Sequence, residues 1–202
     1  MFKVKFYGTP TQPLGLKERQ EAANADGACC YVEQHLNSCD SPTPSYGMVL
    51  LGHNASSESE VWASYYAHLL ALYPAIIGGT KVHKLAAHER GDVCIEYTDM
   101  PAILVEPCFV SNPKQVEWLI AEGMDELGRI LAESIKEHFK GDALVEDVIV
   151  AFSIGHRYRG THDEGAPVIG HPDLSEGHFA QQILLAAARL LDPDFDCPAD
   201  LV

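Results

Sequence analysis

The chain has 202 residues, 47% of them hydrophobic and 21% charged, and a formal net charge of −15. That apolar content supplies a full core for one domain and excludes disorder. The acidity excludes nucleic acid as a partner, because phosphate contacts need clustered Lys and Arg, and no basic amphipathic segment points to a membrane surface.

In chain order, residues 1–7 alternate like a strand and lack the apolar stretch of a signal peptide. No run reaches the length of a transmembrane helix. The six cysteines form neither a CxxC pair nor a regular spacing, so they read as free thiols, some inside apolar runs. A cytoplasmic protein is expected. Residues 2–7, 29–35, 47–52, 93–97, 102–106 and 147–154 read as strands, several apolar throughout, as in strands covered on both faces. Residues 16–26 read as a helix closed by Gly27, and residues 60–72 as a helix with Trp62, Tyr65, Leu69 and Leu72 on one stripe. Asn112-Pro113 caps and opens a helix that Gly123 interrupts. Met124, Leu127, Leu131, Ile135 and Phe139 form a stripe ending before Gly141. The last helix starts at Ser175, carries Phe179, Ile183, Ala187 and Leu190 on one face, and stops at Asp192-Pro193. Segments 36–45, 53–59 and 157–174 read as irregular, the last long enough to be a functional loop. The alternation implies an α/β fold, a single domain with a mostly parallel central sheet of about six strands and helices on both faces.

Four residues carry the chemistry. His35 and His156 each follow a strand, and open α/β sheets place ligand sites beyond the carboxyl ends of their strands. Glu176 sits in the first turn of a capped helix and can reach the same edge. Two histidines and a carboxylate are the ligand set of a catalytic zinc with an open fourth position. Glu106 lies late in an apolar strand, where an unpaired carboxylate is costly and needs a reason. One reason is service as a general base; the other is a buried ion pair with Arg19 or Arg157. His162 and Glu164 are alternatives in the loop after His156, and His53 is a further candidate contact, more simply read as a surface residue.

The segment Leu16-Lys-Glu-Arg19-Gln-Glu-Ala-Ala23-Asn24 followed by His35-Leu-Asn37 resembles the zinc-dependent N-acetylmuramoyl-L-alanine amidases of the Amidase_3 type. Pro101-Ala-Ile-Leu-Val-Glu106-Pro-Cys-Phe109-Val-Ser-Asn112-Pro113 is similar to that family's signature around its catalytic glutamate. The family's opening Gly-His strand and Glu-bearing helix are matched at the far end of the chain, by Gly155-His156, Gly165-Ala166 and Glu176. The resemblance therefore implies a circular permutant with its join near residues 140–146, spanning 1–202 as one catalytic domain. Arg157-Tyr158 stands where the family has glycines, and Pro107-Cys108 where it has a small pair.

What the resemblance implies is Zn²⁺ on His35, His156 and Glu176, with Glu106 as catalytic base. The substrate is peptidoglycan or a muropeptide, cut between N-acetylmuramic acid and L-alanine. A compact cytosolic form is expected to be a phage endolysin that reaches the cell wall at lysis. Two alternatives stay open: an intracellular zinc amidohydrolase acting on soluble muropeptides or acyl-amino acids, and a metal-free peptidoglycan-binding module.

Overall fold

A computed structural model describes residues 1–144, 147–160 and 163–201. His162, and part of the expected join at 140–146, lie outside the described residues. Six strands form the central sheet: β1 (Phe2–Phe6), β2 (Cys30–Gln34), β3 (Gly47–Leu51), β4 (Thr80–Lys84), β5 (Ala102–Glu106) and β6 (Val148–Ile154). Their spatial order is β1-β6-β2-β5-β3-β4. β1, β6, β2 and β5 run parallel, whereas β3 is antiparallel to β5 and carries β4 parallel to itself. A small antiparallel hairpin, β7 (Pro167–Val168) and β8 (His171–Ser175), stands apart from this sheet.

Among the described residues, six α-helices accompany the strands: α1 (Leu16–Ala25), α2 (Ser57–Ala71), α3 (Pro113–Trp118), α4 (Met124–His138), the short α5 (Lys140–Ala143) and α6 (Glu176–Leu191). Alternate strand residues face opposite sides of the sheet, and the two sides are covered unequally. On one side Cys30, Val32, Ile103, Val105, Val150 and Phe152 pack beneath α2, α4 and α6 in the larger core. On the other, Tyr31, Leu50, Leu104 and Ala151 form a smaller cluster with residues of α1, Leu85 and the turn around Cys94 and Ile95. This thinner layer leaves part of the sheet's carboxyl edge open.

Several sequence expectations need correction. Residues 93–97 form no strand; Asp92–Cys94 is a 3-10 turn. The Asp92 carboxylate accepts the backbone N–H groups of His53 and His88, which turns the chain, while buried Cys94 and Ile95 imitate a strand's apolar signal. The missed strand, β4, is a mostly exposed edge strand, Thr-Lys-Val-His-Lys, whose charges suit an edge and hide its apolar pattern. Segment 157–174 contains the β7–β8 hairpin instead of being irregular throughout. In α2 the buried face carries Trp62, Tyr66 and Leu70; Leu72 is exposed and lies beyond the helix. Leu190 of α6 is likewise exposed, and Leu191 takes the buried place. Gly123 does not break the chain's helical course: residues 119–123 form a π turn joining α3 to α4.

Candidate active site

Parallel neighbours β6, β2 and β5 end together, with Gln34 in register with Ile154 on one side and Val105 on the other. His35 therefore emerges between Gly155 and Glu106, and its backbone N–H donates to the Val105 carbonyl at 2.9 Å. Gly155 must lack a side chain, because a Cβ there would fall 2.6 Å from the His35 ring. The next residue, His156, has a left-handed backbone (φ 66°), a conformation costly for a side-chain-bearing residue and often retained at functional sites.

Glu176 opens α6 immediately after the Ser175 cap, whose Oγ accepts the His178 N–H at 3.2 Å. The β7–β8 hairpin delivers this helix end to the strand edge. There Glu176 Oε1 lies 3.0 Å from His35 Nδ1 and 3.2 Å from His156 Nε2. The Leu36 N–H donates to Oε1 and the Ala166 N–H to Oε2, both at 3.1 Å, so the carboxylate is held from two further segments. One ligand atom from each of His35, His156 and Glu176 lies within 4.8 Å of the others.

The second nitrogen of each imidazole faces another carboxylate. His156 Nδ1 is 2.9 Å from Asp163 Oδ2, and His35 Nε2 is 3.4 Å from Glu33 Oε1. Metal-binding histidines commonly carry such a backing partner, which orients the ring. Burial opposes charge on both imidazoles, but Glu176 and Asp163 around His156, and Cys94, Glu176 and Glu33 around His35, hold them above the ordinary histidine range. Burial likewise works against the Glu176 carboxylate, yet His156 and His35 keep it well below the usual glutamate range. Glu33, completely buried, is held at about 2: burial raises it, and His35 and Arg19 more than offset that. The negative field that favours protonated rings also favours a cation between them, so the donor set fits a divalent metal.

Glu106 lines the same cleft as these three residues, a cavity of about 680 Å³. Burial pushes its carboxyl above the ordinary glutamate range; the neighbouring His35 charge lowers it in part and Glu176 adds to the rise. The ion pair with Arg19 or Arg157 that sequence left open is not formed. Arg19 donates to the carbonyls of Leu14, Ile154 and Arg157 and to Ser153 Oγ. Arg157 pairs with Glu164 at 2.8 Å and donates to Gln181.

Glu164, the alternative ligand, is thereby turned to Arg157 and Ser175, away from the two rings. His53 lies outside the cleft, bonded through Nδ1 to Asp92 at 2.8 Å. Sequence reasoning assigned no role to Asp163, Glu33 or Arg159. For Glu33 the signal was present: a carboxylate within the fully buried run Cys30-Tyr-Val-Glu-Gln34 poses the same question as Glu106.

Fold and site together define an α/β protein with a candidate metal centre at the carboxyl edge of its sheet. Residues 1–137 match the family described as N-acetylmuramoyl-L-alanine amidase, and the chain belongs to that family of hydrolases. Solved structures with a similar fold include an N-acetylmuramoyl-L-alanine amidase from Clostridium difficile 630, with 23% identity over 67% of this chain and 68% of that one, and a TM-score of 0.52. Another is the CwlD amidase from Clostridioides difficile in complex with the GerS lipoprotein, at 20% identity over 65% and 62% of the two chains and a TM-score of 0.50. The catalytic domain of CwlV from Bacillus (Paenibacillus) polymyxa var. colistinus is 21% identical over 68% and 76%, with a TM-score of 0.47. No curated protein sequence matches the chain significantly.

Proposed function

We propose that this amidase is zinc-dependent and cuts the amide between N-acetylmuramic acid and the L-alanine of the stem peptide. The observation that carries this reading is the meeting of His35 Nδ1, His156 Nε2 and Glu176 Oε1 on a cleft that also presents Glu106. These three side chains would hold the metal. When bound, zinc lowers the pKa of a water ligand to about 7 and polarises a carbonyl oxygen. Glu106, ionised, accepts a proton from the attacking water and passes it to the departing amine nitrogen. Its burial suits the first transfer, because a carboxylate with a raised pKa is the stronger base, and the departing amine, more basic than the carboxyl group, takes the proton in the second.

The test is mass spectrometry of peptidoglycan digests, with zinc and with a chelator. Free stem peptides beginning at L-alanine, in the zinc sample alone, are the expected outcome; intact material in both would remove the reading. Running intact sacculi beside soluble muropeptides separates the endolysin role from a recycling one. Metal content of His35→Ala, His156→Ala and Glu176→Ala tests each ligand, and undiminished zinc in any of them strikes that residue from the set.

The catalytic domain is further proposed to span 1–202 in circularly permuted order. The family match stops at residue 137, ahead of the strand and helix that carry His156 and Glu176. β6 lies between β1 and β2 in the sheet, although it follows them in sequence. The segment after α6 runs back along β1: Asp192 binds Lys3 and the Val4 N–H, and Asp200 accepts the Thr11 N–H at 3.0 Å. Adjacent ends are what permutation requires. A variant reopened at residues 140–146, with residue 202 linked to residue 1, should fold and cleave; an unfolded product would count against the permuted order.

A further inference from the structure

β2 directs Tyr31, Glu33 and His35 to one side of the sheet, two residues apart. Glu33 has no exposed side-chain surface, and an ionised carboxylate there is tolerable only if its oxygens are engaged. Tyr31 Oη donates to its Oε2 at 3.2 Å, and Arg159 Nη2 lies 3.5 Å from its Oε1. The other arm of Arg159, Nη1, is 3.8 Å from Asp163 Oδ2. The contacts close into a ring of six side chains: His35, Glu176, His156, Asp163, Arg159, Glu33 and back to His35. Each candidate ligand imidazole thus stands between Glu176 in front and a carboxylate behind, and Arg159 joins the two rear carboxylates.

We propose that Glu33 is the positioning residue of His35: it accepts the Nε2–H of the ring and so reserves Nδ1 for the metal, while Arg159 braces it against Asp163. His35 Nε2 is enclosed by protein and has no aligned hydrogen bond, so its direction depends on what lies behind it. Two groups do, Glu33 and the Cys94 thiol. A carboxylate is the stronger acceptor, and it is the one tied to Arg159. The two ligand rings are therefore aimed by one shared brace, although they come from different strands. This inference rests on the zinc reading of the site.

The test measures zinc affinity by competition with a chromophoric chelator for wild type, Glu33→Gln and Cys94→Ala. Alongside it, long-range proton–nitrogen spectra of the zinc-loaded wild type report which ring nitrogen of His35 carries the proton. Glu33→Gln preserves shape and removes the charge; it is expected to weaken zinc by about 10–100-fold, the usual effect of losing such a backing partner. Cys94→Ala should leave affinity unchanged, and His35 should be protonated at Nε2. Equal zinc affinity in Glu33→Gln, or a His35 proton on Nδ1, overturns the inference while leaving the zinc site standing. Failure of the wild type to bind zinc overturns the zinc reading itself, and this inference with it. Should Glu33→Gln not fold, the wild-type ring spectrum decides the matter alone.

Discussion

The imidazoles of His35 and His156 stand 4.8 Å apart, nearly perpendicular at 77°, although one follows β2 and the other follows β6. The register of two adjacent parallel strands brings them together: the Gly155 N–H donates to the Gln34 carbonyl at 2.8 Å, fixing both strand ends at one level. The arrangement leaves the two rings facing a single carboxylate oxygen, Glu176 Oε1.

Replacing Glu106 by Gln removes the proposed base while leaving the cleft's shape and the three proposed ligand atoms untouched. Activity should fall by about 10²–10⁴-fold, the range for loss of a general acid–base group. Bound zinc and the thermal transition should match the wild type. A variant of near-normal turnover would strip Glu106 of its role.

The pH dependence follows from the direction of the Glu106 shift. Its ionised form is the proposed base, and burial raises its carboxyl, so activity should be full above that raised value and lost as pH falls through it. With zinc content measured in the same samples and constant, the acidic limb of kcat/KM should lie above about 4.3, the ordinary glutamate value. A limb at or below that value would mean that some other group governs it.

Arg19 is fully buried, and its hydrogen bonds reach carbonyls on both sides of His156, at Ile154 and Arg157. Arg19→Met should destabilise the fold by about 3 kcal/mol, because it strands buried acceptors and leaves Glu33 with less compensating charge. Urea denaturation gives the stability. Zinc affinity should weaken in the same variant, since the turn carrying His156 loses its anchor; unaltered values of both would show that Arg19 does neither.

Gly128 lets α4 approach α6 closely. A Cβ there would sit 2.6 Å from Ala186 Cβ and 2.8 Å from the Ile183 carbonyl. Gly128→Ala is therefore expected to cost about 1–2 kcal/mol through overpacking, despite alanine's better helix propensity. A rise in the denaturation midpoint would contradict this contact.

Much of this was legible in residue order. Alternation marked β1 and apolar runs marked β2, β3, β5 and β6, and a strand-end position picked out His35 and His156. A carboxylate in an apolar strand picked out Glu106. These signals are local, carried by periodicity and by the cost of burying charge, and a sequence contains them outright. The 93–97 segment shows the limit of such reading: buried Cys94 and Ile95 look like a strand until Asp92, by accepting the N–H groups of nearby His88 and distant His53, turns the chain. The reversed direction of β3 is equally invisible, because direction is set by where the chain re-enters the sheet. Only the tertiary structure decided that Arg159 lies between Glu33 and Asp163, that Arg19 serves carbonyls beside His156 instead of Glu106, and that Glu164 pairs with Arg157. The choice among several eligible partners for a buried charge depends on distances of a few ångströms between segments far apart in the chain, and residue order does not record those distances.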